Sequence, residues 1–248
     1  MAKFLSKKSY QLKDLKEIPF SDLWGEKGVF TTMRVTQNSN KIILKNNHLD
    51  NLIYSTKKYK IKKKNLKKIL IYLINKNLKK KYNNHLLRIA LDKKRISITV
   101  RKRVTPKKNF KLKIFKYKRI EPEYKNLYYK KILKRLSKFD TTKYDLALCY
   151  KNKILETGTS NLLFVKKGKY FSPKNNCYIG NTIKFLSNKI KIKFKDIMIT
   201  DLNNYQEILL VGSGKGITAV DKIDELNWKK VSSIYSKSIK KIYNKLVI

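Results

Sequence analysis

Ile154-Leu155-Glu156-Thr157-Gly158-Thr159-Ser160-Asn161-Leu162-Leu163-Phe164 decides how the rest of this chain is read. Two apolar residues start a strand, a carboxylate follows, and a polar turn containing glycine ends in Ser-Asn before an apolar strand resumes. The chain holds 17 Asp and Glu against 61 Lys and Arg, so a lone carboxylate in an apolar frame points to a specific cationic partner.

At 248 residues the chain makes one large domain or two modest ones, and with 42% hydrophobic residues it can bury a sizeable core. No apolar run reaches the roughly 20 residues that span a bilayer, so no membrane partner is expected. The opening Met1-Ala2-Lys3-Phe4-Leu5-Ser6-Lys7-Lys8 lacks the apolar stretch and small-residue cleavage site of a secretory signal. Cys149 and Cys177 are too few for a disulfide framework and too isolated for a zinc site. The expectation is a reduced, cytoplasmic protein that needs no metal.

The formal charge is 61 − 17 = +44, a balance that usually implies a nucleic-acid partner. Here the excess is lysine spread from end to end, with abundant Asn, Ile and Tyr. All four are encoded by A/T-rich codons, so biased nucleotide composition accounts for the whole pattern. Sequence-specific readers favour Arg forks, and arginine is scarce in this chain. What remains is non-specific, salt-sensitive polyanion binding and a preference for small anionic ligands in any cleft.

Val29-Phe30-Thr31-Thr32-Met33-Arg34-Val35, a polar Gln37-Asn38-Ser39-Asn40 turn and Lys41-Ile42-Ile43-Leu44 read as a hairpin. His48 to Ile61 has Leu52, Ser55, Thr56 and Tyr59 at helical spacing, and Asn65 to Leu78 repeats Leu66, Ile69, Leu70, Leu73 and Ile74 on one face. Further strands are read at 86–91, 96–100, 111–117, 144–148, 162–165, 197–199 and 207–211, and further helices at 128–138, 182–189 and 231–246. Glu121-Pro122-Glu123 marks a crossing between lobes. Strands mixed with single helices in both halves give an α/β (α+β) class in two lobes, 1–118 and 119–248.

The Glu156 run resembles E-x-x-x-S-N-[LF]-F, the signature of the fold-type IV pyridoxal-phosphate enzymes. That family holds branched-chain and D-amino-acid aminotransferases and aminodeoxychorismate lyases. The resemblance implies pyridoxal 5'-phosphate as cofactor, with Glu156 against its pyridine nitrogen. It also implies a smaller N-terminal α+β lobe, a larger C-terminal α/β barrel-like lobe, and a homodimer.

Such a cofactor asks a protein for a Schiff-base lysine, a carboxylate and donors for a phosphate dianion. Glu123-Tyr124-Lys125-Asn126-Leu127-Tyr128-Tyr129 resembles the family's K-x-L-N-x element, which ends a strand and begins a helix. Lys125 then aligns with the Schiff-base lysine, 31 residues before Glu156, and Tyr128 stands where the family has Asn. Cys177-Tyr178-Ile179-Gly180-Asn181-Thr182-Ile183-Lys184 resembles L-P-G-[IN]-T-R, which implies phosphate donors at Asn181 and Thr182. Ile179 and Ile183 replace that motif's Pro and Arg. Glu207 to Val220 resembles the family's E-[VI]-x-x-x-G-T strand and loop, with Ser213 on the phosphate-binding Thr and Gly214 following it.

His48-Leu49-Asp50-Asn51-Leu52-Ile53-Tyr54-Ser55 matches H-x-x-R-L-x-x-S, except that Asn51 stands where the phosphate-binding arginine belongs. A neutral amide there loses a charge-assisted, bidentate contact. Compensation by nearby lysines, weaker cofactor binding and a decaying site all remain open. His48 itself reads as a structural residue at a helix start.

Gly28-Val29-Phe30-Thr31-Thr32-Met33-Arg34-Val35 is most similar to the aminodeoxychorismate lyases, some of which carry F-T-T-x-R-V. Thr31, Thr32 and Arg34 become candidates for the substrate side, with Arg34 as a carboxylate partner. The activity this implies is a lyase releasing pyruvate and 4-aminobenzoate from 4-amino-4-deoxychorismate, a step towards folate. An aminotransferase on branched-chain or D-amino acids, and a basic scaffold that kept the fold without the chemistry, stay as alternatives. The resemblance runs from about Ser21 to Ile223, with the family's opening strands reduced to a lysine-rich lead-in.

Overall fold

The computed structural model describes residues 4–37, 41–79 and 82–247. Asn38–Asn40 of the expected hairpin turn lie outside the described residues. The described chain divides into two compact units, residues 1–103 with 124–130, and residues 104–123 with 131–248.

In the first unit, β1 (Phe4–Gln11), β2 (Glu17–Ile18), β3 (Val29–Thr36), β4 (Lys41–Ile42), α1 (Lys45–Lys58), α2 (Leu66–Asn77), β5 (His85–Leu91) and β6 (Arg95–Lys102) follow in order. The strands form one antiparallel sheet in the order β2-β1-β6-β5-β3-β4. Alternation along β3 directs Val29, Met33 and Val35 to one face. They pack there with Leu87, Ile89, Ile98 and Val100 of the neighbouring strands. Leu49 and Leu52 of α1 and Leu66, Leu70, Leu73 and Ile74 of α2 close this core, as their helical spacing requires.

The expected lysine-rich lead-in is corrected: Phe4–Gln11 is an eight-residue strand paired with β6 along its length. Its burial is confined to Ser9 and Tyr10, so it is held by the backbone ladder and leaves little mark in the sequence pattern.

The second unit contains β7 (Lys111–Lys116), most of α3 (Lys130–Leu136), β8 (Tyr144–Tyr150), β9 (Lys153–Thr157), β10 (Asn161–Lys166), β11 (Lys169–Pro173) and α4 (Asn181–Ser187). It continues through β12 (Ile192–Lys195), β13 (Ile197–Met198), β14 (Glu207–Gly212), β15 (Gly216–Val220), β16 (Lys222–Ile223), β17 (Trp228–Lys229) and α5 (Ile234–Val247). Two sheets result, β12-β11-β10-β14-β15 and β13-β9-β8-β7-β16-β17. Leu162, Phe164, Ile208 and Leu210 of the first pack with Leu112, Ala147 and Ile154 of the second. The other face of the five-stranded sheet, through Leu163, Leu209 and Val211, packs with Ile183 and Leu186 of α4 and Ile239 and Tyr243 of α5.

The units do not meet at one point in the sequence. β7 pairs parallel with β8, which ties residues 104–118 to the second unit. A parallel pair needs a long crossover, and Tyr124–Lys130 lies in it and belongs to the first unit. No described helix is long and apolar enough to cross a membrane.

Candidate functional site

Glu156 lies on β9, opposite Leu148 of β8, and is 5% exposed. The turn after it is braced by its own side chains. Thr157 Oγ1 accepts from the amides of Thr159 at 3.2 Å and Ser160 at 2.8 Å. Thr159 donates to the buried Asp145 carboxylate at 2.5 Å, and the Thr157 hydroxyl lies 3.2 Å from the same oxygen. Desolvation by burial raises Asp145 above the usual carboxylate range, against the opposing pull of Lys215 and these hydrogen bonds.

Ser160 and Asn161 join this turn to both elements expected to hold phosphate. Asn161 Oδ1 accepts from the Gly180 amide at 3.0 Å, and its Nδ2 donates to the Tyr178 carbonyl. Gly180 caps α4, where Asn181 and Thr182 are both buried. A Cβ on Gly180 would stand 2.8 Å from Asn161 Oδ1, and one on Gly212 would stand 2.8 Å from Ser160 Oγ. Glycine at each position permits this close approach. Gly212 pairs with Gly216 across a three-residue loop, Ser213-Gly214-Lys215, and Gly216 takes the left-handed φ of +69° that closes such a hairpin. Lys215 turns inward, donating to the Thr141 carbonyl. The second unit thus draws the Glu156 turn, the start of α4 and the Ser213 loop together. Because α4 has only seven residues, the hydroxyls of Thr182 and Ser213 carry more of the phosphate reading than a helix dipole does.

Sequence reasoning passed over Arg119. Its Nε donates to Glu156 Oε1 at 2.7 Å and its Nη2 to the Pro122 carbonyl at 2.6 Å, with the residue 1% exposed. The signal was available, because only seven of the 61 basic residues are arginine, and one lies six positions before Lys125. Cys177 senses the same pair: burial first, then Glu156, pushes its thiol up to about 12.

Lys125 belongs to the first unit. It is not at a strand end running into a helix: its carbonyl accepts from Phe30 N at 2.9 Å, Asn126 forms a bridge with Val29, and α3 opens only at Lys130. Lys125 Nζ lies 5.0 Å from the centre of the Phe30 ring. Thr31 Oγ1 and His48 Nδ1 are 2.8 Å apart in the interior. Burial, with a smaller contribution from the Lys125 charge, holds His48 down at about 3, so the imidazole is neutral. Asn51 is one turn further along α1.

The three substrate-side candidates divide between the faces of β3. Thr31 shares the core face with Met33 and Val35, while Thr32 and Arg34 point to the other. There Thr32 lies opposite Arg88, and Leu86 lies between Arg34 and Arg101 in the next row. Arg88, also passed over, bonds to the Asp22 carboxylate and lies 4.4 Å from the Trp24 ring. Desolvation by burial lowers Arg88 despite Asp22, and burial followed by the Arg88 charge lowers Arg101. The Nε atoms of Arg34 and Arg88 are buried with no hydrogen-bond partner. Among the described residues no cluster of His, Cys, Asp and Glu is built to hold a metal.

The family model for class IV aminotransferases matches residues 28–223. The chain belongs to that family. Its members are pyridoxal-phosphate enzymes, and this chain is an enzyme of that kind. A branched-chain aminotransferase from Thermoproteus uzoniensis superposes with a TM-score of 0.78 at 17% identity, covering 97% of this chain and 94% of the other. A hypothetical aminotransferase from Mycobacterium tuberculosis gives 0.74 at 14% identity, covering 98% and 99%. A candidate 4-amino-4-deoxychorismate lyase from Legionella pneumophila gives 0.73 at 16%, covering 89% and 91%. At these identities the likeness establishes the mixed α+β fold. A search of curated proteins finds no match.

The residues present fit the family's cofactor. A buried carboxylate with a compensating cation stands on β9, and two glycines let the elements bearing Thr182 and Ser213 close on Ser160 and Asn161. The departures that remove charge are Asn51, an amide, and Ile183, an apolar side chain, each standing where the family has arginine.

Proposed function

We propose that the chain is a pyridoxal-phosphate-dependent lyase releasing pyruvate and 4-aminobenzoate from 4-amino-4-deoxychorismate. The observation that carries this reading is the face of β3 and β5 where Thr32, Arg34 and Arg88 lie together with buried, unpartnered Nε atoms. Arginine suits planar carboxylates, and the proposed substrate carries two.

When bound, the cofactor supplies an electron sink for the substrate's α-carbon. Lys125 holds the cofactor and, once released, moves a proton as general acid and base. Glu156 holds the pyridine N–H and orients the ring. Thr182, Ser213 and the backbone N–H groups of Asn181 and Gly214 bind the phosphate. Arg34 and Arg88 bind substrate carboxylates. The same reading assigns the protein to the cytoplasm as a homodimer, which sedimentation checks.

One observation favours an aminotransferase instead. Thr31 is bound to His48 on the core face, which removes it from the substrate-side trio on which the lyase resemblance rests. The assay that separates the two supplies aminodeoxychorismate without any keto acid. Release of pyruvate and 4-aminobenzoate supports the lyase, whereas turnover of branched-chain or D-amino acids that appears only with a keto acid replaces it.

A further inference from the structure

The pair between Arg119 and Glu156 is placed where a second cation would have to share the carboxylate. Arg119 is 1% exposed and Glu156 5%, so water screens neither charge. A buried ion of either sign persists only when it is compensated and hydrogen-bonded. Arg119 Nε supplies that to Glu156 Oε1 at 2.7 Å, and Nη2 is anchored on the Pro122 carbonyl at 2.6 Å. A planar fork can bind two acceptors at fixed geometry, which the flexible point charge of lysine does less well. That is a physical reason for arginine at this position in a chain with 54 lysines and seven arginines. Titratable groups near the pair include Cys177, whose thiol burial pushes up to about 12 and on which Glu156, Arg119, Glu123 and Asp196 all act.

We infer that Arg119 is a positioning residue that orients Glu156 and divides its charge with the pyridine nitrogen of the cofactor. The inference rests on the pyridoxal-phosphate reading of Glu156. Without cofactor, the guanidinium compensates the carboxylate. With cofactor bound, two cationic groups draw on one anion, so Glu156 holds the ring proton less tightly than an unshared carboxylate would. Arg119 thereby sets the pH range over which the bound ring stays protonated.

Four variants test this: Arg119→Met, Arg119→Lys, Glu156→Gln and the double variant Arg119→Met with Glu156→Gln. In the cofactor-free protein, Arg119→Met is expected to lower Tm by roughly 6–15 °C, as an uncompensated buried charge does. Adding Glu156→Gln should recover at least half of that loss. Pyridoxal phosphate should raise Tm more in Arg119→Met than in wild type, because the ring cation no longer shares the carboxylate with the guanidinium. In the absorption of the bound cofactor against pH, loss of the ring proton should move up by about one unit or more in Arg119→Met, with Arg119→Lys in between. A structural filler would not move that titration.

Equal cofactor increments and identical titrations in wild type and Arg119→Met overturn the inference, as does a double variant no more stable than Arg119→Met. If Arg119→Met does not fold, Arg119→Lys and the double variant still decide, and an unmoved titration in Arg119→Lys overturns the inference. A wild-type chain showing neither visible absorption nor a melting shift with pyridoxal phosphate overturns the cofactor reading and this inference with it. A wild type that responds, beside variants that respond identically, overturns the inference alone.

Discussion

Each unit buries an ionisable group, and the fold treats the two in opposite ways. Glu156 in the second unit enters the interior together with the Arg119 guanidinium at 2.7 Å. His48 in the first unit enters with the Thr31 hydroxyl at 2.8 Å and feels the positive charge of Lys125. The first is supplied with a counter-ion, and the second gives up its charge. A buried group keeps its charge only where the structure provides the opposite one. The +44 chain therefore has to import an arginine to hold an acid, whereas neutrality at His48 needs only burial beside a lysine.

The largest way to break this contrast is to remove the lysine. Lys125→Ala should lower turnover by roughly 10³-fold or more and abolish the visible absorption of lysine-bound cofactor. Retained absorption in that variant would move the attachment to another residue. Because the same change deletes a cation near His48, it should also soften the acid instability described next.

His48 is held at about 3 in the folded protein against an ordinary imidazole value of 6.5. Between those values the unfolded chain binds more protons than the native one, so stability falls as pH drops through that window. At about 1.4 kcal/mol per unit, the full effect between 6.5 and about 3 is on the order of 5 kcal/mol. Denaturant midpoints measured from pH 7 to pH 4 should show this slope, and His48→Asn should flatten it. An unchanged slope in that variant would assign the acid limb to other groups.

The bracing of the Glu156 turn makes a smaller prediction. Gly212→Ala would put a methyl 2.8 Å from Ser160 Oγ, at a cost of about 1–3 kcal/mol in unfolding free energy. Adding Ser160→Ala should return part of it, and a Gly212→Ala protein as stable as wild type would mean the two loops are not in contact. The smallest change sharpens the contrast instead. Asn51→Arg should tighten pyridoxal-phosphate binding by about tenfold in a titration followed by absorption, through a charge-assisted contact to the phosphate. No gain would show that the surrounding lysines already supply that charge.

Much of the fold was legible in the chain. The apolar face of α2 and the alternation of β3 lie where 3.6-residue and two-residue periods put them. The Glu156 turn was readable because strand, glycine turn and Ser-Asn are local features. The division of Thr31 from Thr32 and Arg34 was also present in the alternation of β3, although the motif resemblance treated them as one group. β1 was not legible, since Phe4-Leu5-Ser6-Lys7-Lys8-Ser9-Tyr10-Gln11 has no alternating apolar face and is held by its ladder. The Lys125 segment also escaped, because its extended conformation comes from hydrogen bonds to Gly28 and Phe30, nearly 100 residues earlier in the chain.

By itself the sequence determined which segments become strands and helices and which family motifs they carry, because periodicity and turn chemistry act over a few residues. The tertiary structure alone decided that Arg119 faces Glu156 across 37 positions of chain, that Ser160 and Asn161 tie down Gly212 and Gly180, and that His48 is neutral. Those outcomes depend on strand register, on the path of a crossover and on how far water is excluded. None of the three is a property of neighbouring residues.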